Sequence, residues 1–506
     1  MISCELKINV NHSQNCMKLL TQLKSFELLS KYADSTGLSS GQHVIRNTDL
    51  HSNPFILQTD SIRLDFSNQQ IDNTILDLLL NLAHERNLKE KIDALMQGDV
   101  VNQSEQRPAL HTALRSNGEH SIIVNGIDII PDIMATREMM SSISEKIRAG
   151  LWLGYTGRPV VSIVNIGIGG SDLGPRFCIS ALEESSSKQL SYHFVSDMDP
   201  NSFENAVATL DPETTLFIIS SKSFTTQETL YNAKKALAWM GQPKYYDKHF
   251  IAVTAYKSKA NDFGFENVLP IWEWVGGRYS LCSAINLITC IAIGYERFSE
   301  LLAGANSMDT HFHHSELHEN LPVVMALSGI WNINCLNIPS LLMLVYARQL
   351  ELFIPYIQQM DMESNGKSVD IQGQRVNYST GPLVWGGPGD QAQHSYYQLL
   401  CQGTHKVAAD FLSTNTFENE TINSLCKAKI RILSQGIAEN DLNAFIAGGM
   451  PINHISLSSC TPYCIGELIA LYEHKIYIQG VLWNINSFDQ PGVESAKRFK
   501  AGMMNR

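Results

Sequence analysis

Charge is scarce in this chain of 506 residues: 17% are Asp, Glu, Lys or Arg, while 44% are hydrophobic. That balance excludes a disordered polar chain and leaves enough apolar residues for two or three packed domains. Basic residues are the scarcer sign, 38 against 50 acidic, and the formal charge of -12 argues against nucleic acid or an anionic membrane as partner. An anionic substrate would therefore need a local cationic pocket. A cysteine framework is also missing. The ten cysteines, at 4, 16, 178, 282, 290, 335, 401, 426, 460 and 464, form no CxxC, which fits reduced, mostly buried thiols in a cytosol. Cys460 and Cys464 stand one helical turn apart and read as packing rather than a redox or metal pair. The opening MISCELKINVNHSQNC has neither a basic region nor a long apolar one, so no secretory signal is apparent and a cytoplasmic location is expected. The most apolar long stretch, Ile338 to Ile357, is interrupted by Arg348, Gln349 and Glu351, which disfavours a membrane span and reads as a buried amphipathic helix. No low-complexity linker stands out, nor any repeat legible from residues alone.

From about residue 159, short apolar runs alternate with helical stretches, the pattern of a parallel sheet wrapped by helices. Expected strands are Val160 to Ile166, Tyr192 to Ser196, Thr215 to Ser220 and Phe250 to Thr254, with helices near Leu173 to Leu182, Thr226 to Met240 and Ser280 to Ile293. His405 to Phe411 and His454 to Leu457 read as strands of a second α/β unit. Residues 1–119 look mainly helical, with Ile71 to His84 apolar on one face, and are expected to pack as an arm on the second domain. The expected division is an N-terminal arm over 1–119, a first α/β domain over 120–296 and a second over 297–506 that ends in a C-terminal helix.

Six segments carry chemistry. IVNIGIGGSDLGP, Ile163 to Pro175, runs from a buried strand through a glycine-rich turn into a helix, an arrangement whose exposed N–H groups attract anions. A turn needing glycine only for geometry is the competing reading. Neither nucleotide fingerprint is met: Asp172 stands where the dinucleotide motif needs its third glycine, and Pro175 and Arg176 replace the Lys and Ser/Thr of a P-loop. SSKSFTTQET, Ser220 to Thr229, places Ser221, Lys222, Ser223 and Thr226 at a helix start, a cradle for a phosphate dianion. Thr225 and Glu228 have the spacing of an ordinary capping box, which would not explain the lysine.

WEWVGGRYSLCSAINL, Trp272 to Leu287, offers Arg278 after two glycines, a permanent cation suited to an oxyanion or to a structural ion pair. QQMDMESNGK, Gln358 to Lys367, is polar and turn-like and holds two carboxylates, Asp361 and Glu363, either of which would serve as a general base on such a loop. GGPGDQAQHSYYQLL presents His394 at the start of a helix, and FDQPGVESAK presents Lys497 about two turns after a Pro-Gly stop. Singly, each is more often a surface or core residue than a catalyst. HFHHSELHEN, with His314 and His318 four apart, lacks the Glu of HExxH and reads as a solvated helix start rather than a metal site.

Together the segments resemble the phosphoglucose isomerase family from about residue 98 to 498, in the right order, with Asn102, Glu105, Arg107 and LHTALR as earlier landmarks and SKSFTTQET, VGGRYS and MESNGK as long specific strings. The resemblance implies two sugar-isomerase (SIS) type domains, each a parallel sheet flanked by helices, with an N-terminal helical arm, usually in a homodimer whose active site lies between domains. It implies interconversion of glucose 6-phosphate and fructose 6-phosphate with no metal, nucleotide or other cofactor. Carried over, Ser221, Lys222, Ser223 and Thr226 hold the phosphate, and Gly170 and Ser171 line the sugar pocket. Gln359 and Gln490 contact substrate, His394 and Lys497 assist ring opening, and Glu228 supports His394, which in the family comes from the partner subunit. The resemblance selects Glu363 as the base and Arg278 as the oxyanion stabiliser. Ser223 stands where many members have Thr, Asn286 where Gly is common after SAI, and Pro491 where Trp is common; none removes a reacting group. A non-catalytic sensor of sugar phosphates would need the hydroxyl cradle and could dispense with Glu363, Arg278, His394 and Lys497. A dinucleotide-dependent enzyme is disfavoured by the failed fingerprint.

Overall fold

The computed structural model describes residues 18–41, 43–45 and 55–504; Cys4 and Cys16 lie outside them. The described strands are β1 (Ile56–Gln58), β2 (Ile62–Asn68), β3 (Ile123–Val124), β4 (Ile127–Asp128), β5 (Ser162–Ile166), β6 (Ser191–Val195), β7 (Thr215–Ser220), β8 (Phe250–Thr254), β9 (Val268–Pro270), β10 (Ser340–Val345), β11 (Leu383–Pro388), β12 (Ala408–Thr414) and β13 (Ile452–Leu457). Strands β3 and β4 form a small hairpin. The rest build two sheets.

The first sheet has the order β6-β5-β7-β8-β9 and is wholly parallel. Its middle strands β5, β7 and β8 are buried at every position, which is why they read as unbroken apolar runs instead of alternating ones. Helices Leu173–Ala181 and Gln227–Met240 follow β5 and β7. The strand order reverses between β5 and β7, so their carboxyl ends open a crevice where doubly wound sheets bind ligands.

The second sheet has the order β1-β2-β13-β12-β10-β11. Its strands β10 to β13 are parallel, and β2 joins β13 antiparallel with β1 outside it. Numbered along the chain, the parallel strands of both sheets wind in the same order, a repeat of topology without a legible repeat of sequence. The stretch read as mainly helical thus contributes two strands, besides the helices Lys24–Ser35, Asn73–Glu85 and Leu88–Gln97.

Three other expectations are corrected. Ile338 to Ile357 is not one helix: it splits into β10, a tight turn at Arg348–Leu350 and the start of the helix Phe353–Asn365. Over Ser280 to Ile293 only Leu287–Ile293 is α-helical, because Ser283 accepts from the Ile285 N–H and closes a separate turn first. The core is organised by the helix Pro462–Trp483, buried along nearly all of its 22 residues and packed against the helices Tyr295–His314, Leu321–Ile330 and Phe353–Asn365. Its apolar length does not make it a membrane span, and no helix of the described residues is long and apolar enough to cross one. His311 to His314 end the helix Tyr295–His314 instead of starting one, so His314 and His318 do not share a helix face.

Candidate active site

Four loops and one helix meet beside the first sheet's crevice. The turn after β5 approaches the VGGR segment so closely that a Cβ on Gly170 would lie 2.0 Å from the carbonyl oxygen of Gly277. Gly169 adopts φ +60, and a Cβ there would sit 2.9 Å from Nε2 of Gln359. The glycines are therefore required by packing at this junction, whatever else the turn does. Asn165 on β5 braces the turn: its Nδ2 donates to the Ser171 carbonyl (2.9 Å), while its Oδ1 accepts from Ser220 (3.2 Å) on β7.

The second loop leaves β7. Ser221 Oγ and Thr226 Oγ1 lie 3.1 Å apart, and Ser221 Oγ also accepts from the Phe224 N–H at 3.1 Å. Phe224 is buried in the left-handed region, φ 49, a conformation that costs a bulky residue of order 1–2 kcal/mol and is held here by packing against Phe263 and Phe265. The helix Gln227–Met240 begins after Thr226 without a side-chain cap. The capping-box spacing of Thr225 and Glu228 is thus coincidental, and Thr225 Oγ1 turns to Ser223 Oγ instead (2.9 Å). Lys222 crosses to the third loop, donating to the carbonyls of Val275 (2.9 Å) and Glu273 (3.4 Å). Burial holds its ammonium below the ordinary lysine range, and Arg107 and Arg278 push the same way. Arg107 in turn pairs with Glu105 and Glu273, each at 2.6 Å.

Arg278 is the centre of the site. Its Nε donates to Ser364 Oγ (2.7 Å), its Nη1 to Gln490 Oε1 (2.7 Å) and Glu363 Oε1 (3.3 Å), and its Nη2 to the carbonyls of Ser487 (2.7 Å) and Asp489 (3.1 Å). The other carboxylate oxygen of Glu363 accepts from Gln359 Nε2 at 2.9 Å. Glu363 and Gln359 stand four residues apart on one face of the helix Phe353–Asn365, so the base candidate lies on a helix and not, as its polar surroundings suggested, on a loop. The two carboxylates of this helix have different surroundings. Asp361 is fully buried and paired with Lys475 at 2.6 Å, whereas the Glu363 side chain is 25% exposed beside the crevice.

Glu363, Arg278, Gln359 and Gln490 are thus joined by direct hydrogen bonds, with Gly170 packed against the Arg278 loop. Ser221, Lys222, Ser223 and Thr226 form the neighbouring loop, linked to it through Lys222. His394 lies exposed at the end of the turn Gln391–His394 that follows β11, and Lys497 is exposed on the helix Pro491–Met504, pairing with Glu494 at 3.1 Å. Glu228 stands in the first turn of its helix. Among the described residues, no hydrogen bond or ion pair joins His394, Lys497 or Glu228 to Glu363 or Arg278. Tyr279, Ser364, Lys367, Ser487 and Asp489 surround Arg278 without having been singled out from sequence. The first three sit inside the quoted strings VGGRYS and MESNGK, but nothing local in those strings marks them as neighbours.

The matches to known proteins follow this layout. Residues 65–505 match the family described as phosphoglucose isomerase. The glucose-6-phosphate isomerase of Legionella pneumophila (strain Paris) is 55% identical over 486 residues, 96% of this chain and 97% of the relative. That of Shewanella baltica (strain OS223) is 41% identical over 521 residues, covering 97% and 95%. Among solved structures, a glucose-6-phosphate isomerase from Chlamydia trachomatis superposes with a TM-score of 0.87 at 29% identity, covering 96% of each chain. Matched over most of its length in both sequence and fold, the chain belongs to the phosphoglucose isomerase family.

Proposed function

We propose that the protein is a glucose-6-phosphate isomerase, interconverting glucose 6-phosphate and fructose 6-phosphate in the cytoplasm for glycolysis and gluconeogenesis. The observation that carries this reading is the pairing of a buried guanidinium, Arg278, with a partly exposed carboxylate, Glu363, at the mouth of the crevice. In the proposed reaction the phosphate binds to Ser221, Lys222, Ser223 and Thr226, far from the reacting carbons, so its binding energy serves to position them. Gly170 and Ser171 line the sugar. Gln359 contributes the amide oxygen Oε1, which is buried without a protein partner among the described residues, as an acceptor for substrate.

After the ring opens, Glu363 takes the proton from C2 of the aldose and returns it to C1, through a cis-enediol. Arg278 stabilises the oxyanion that develops, an interaction stronger in the transition state than in the ground state. His394 and Lys497 assist ring opening. Their exposure in the single chain suits a homodimer in which His394, supported by Glu228, completes the partner's site. The domains are proposed as 1–119, 120–296 and 297–506, of the arm and two SIS-type units described above.

The test is conversion of fructose 6-phosphate in a dehydrogenase-coupled assay with EDTA present. A purified, folded protein without turnover defeats the proposal and favours a sugar-phosphate sensor. Glu363→Gln is expected to fold and bind substrate while losing roughly 10²- to 10⁴-fold in kcat. Asp361→Asn should keep near-normal kcat and lose stability, since Lys475 is stranded. The opposite result would move the base to Asp361.

A further inference from the structure

We propose that Ser364 and Tyr279 are positioning residues that aim the Arg278 guanidinium at the reacting oxygens, an inference that rests on the isomerase reading above. Ser364 is fully buried, and its Oγ accepts from Arg278 Nε at 2.7 Å. The same hydroxyl meets Tyr279 OH at 3.0 Å, the one hydrogen bond of that phenol among the described residues. Tyr279 is itself held on two sides, its ring 4.8 Å from that of His111 and 5.3 Å from that of Phe488.

An arginine side chain has a planar fork whose orientation is set by the direction of its Nε–H. Fixing that N–H against Ser364 fixes where Nη1 points, and Nη1 is the nitrogen nearest Glu363, at 3.3 Å. Ser364 also follows Glu363 directly in the helix Phe353–Asn365. One rigid backbone segment therefore carries both the carboxylate that would move the proton and the hydroxyl that aims the stabilising cation. Their separation is set by helix geometry instead of by two independent loops. Tyr279 follows Arg278 in the chain and reaches the same hydroxyl, closing the arrangement. Positioning of this kind matters because a misaimed donor loses most of its transition-state stabilisation while still holding the ground state.

Steady-state kinetics of the full chain test the claim, with unfolding midpoints confirming that each variant is folded. Ser364→Ala is expected to lower kcat roughly 10- to 30-fold with KM within about 2-fold, and Tyr279→Phe to lower kcat about 3-fold in the same manner. The discriminating arm is a double-mutant cycle: in an Arg278→Lys background, which lacks the fork, Ser364→Ala should cost less than about 2-fold. A merely structural serine would retain its full cost there. Unchanged kcat in folded Ser364→Ala, or additive losses in the cycle, would overturn the proposal. Should Ser364→Ala fail to fold, an unchanged kcat in Tyr279→Phe would overturn it as well. Failure of the isomerase reading would look different, as an inactive wild type, and this inference would fall with it.

Discussion

Two of the buried arginines among the described residues, Arg115 and Arg278, have partners that could hardly differ more. Arg115 meets Asp309 through both Nε (2.7 Å) and Nη2 (2.6 Å) and pairs Glu473 through Nη1, while His474 Nε2 adds a third contact to Asp309 at 2.6 Å. Its charge is consumed by two carboxylates drawn from the helices Tyr295–His314 and Pro462–Trp483. Arg278 is held by a hydroxyl, an amide oxygen and two carbonyls, with a single carboxylate at the longer distance of 3.3 Å. Neutral acceptors fix a guanidinium without cancelling its charge, so Arg278 keeps a field that the oxyanion of the proposed reaction could use and Arg115 does not. The first arrangement ties helices together; the second leaves a cation oriented and unspent.

The largest effect that could break this contrast is on stability. Arg115→Met strands Asp309 and Glu473 in the core and should cost about 3–5 kcal/mol, measured by urea unfolding, while the folded fraction keeps near-normal kcat at low temperature. Arg278→Lys should do the reverse: kcat falls roughly 10²-fold, because the charge remains but the fork does not, and the unfolding midpoint moves little. If both variants lose stability and kcat in equal proportion, the division between a structural and a functional arginine fails.

The contrast also marks what was legible in the residues. Strands β7 and β8 could be placed to the residue, because a strand buried on both faces is a short apolar run with polar ends. The same rule misled at Ile338 to Ile357, where the polar residues Arg348, Gln349 and Glu351 read as one face of a helix but mark the turn between a buried strand and a buried helix. Glu363 read as a loop residue because the last turns of its helix face a polar crevice, and polarity there resembles a turn. The approach of Ser221 to Thr226 was legible locally, since the two are five residues apart and share one loop. The surroundings of Arg278 were not: Ser364 lies 86 residues away and Gln490 lies 212 away, so only the fold brings them together. Nor does any pattern along the chain tell Arg115 from Arg278 as cation-consuming from cation-preserving, because that depends on which acceptors arrive.

The smallest expected effect sharpens the comparison through protons. At Arg115 one guanidinium faces two carboxylates, and burial raises Glu473 to about 7 against the pull of Arg115, so this cluster loses stability as pH rises from the unfolded glutamate range toward 7. Beside Arg278 the strained group is a cation. Lys367 Nζ donates to the carbonyls of Ser364 and Asn486, both at 2.6 Å, and pairs with Asp489 at 3.1 Å. Burial lowers it to about 8, with Arg278 adding to the shift and Asp489 opposing it. Below that value both folded and unfolded chains hold the proton, and the burial penalty is present in full. Between it and the ordinary lysine value of about 10.4 the unfolded chain holds more protons, so stability rises with pH by up to about 1.4 kcal/mol per unit. Lys367→Met lacks this contribution. The difference in urea unfolding free energy, wild type minus variant, should be flat from pH 6 to 7 and climb from pH 8 to 10. A difference that stays flat to pH 10 would mean that Asp489 balances Lys367 fully. The region around Arg278 would then be as neutralised as the one around Arg115, and the contrast between them would rest on hydrogen-bond geometry alone.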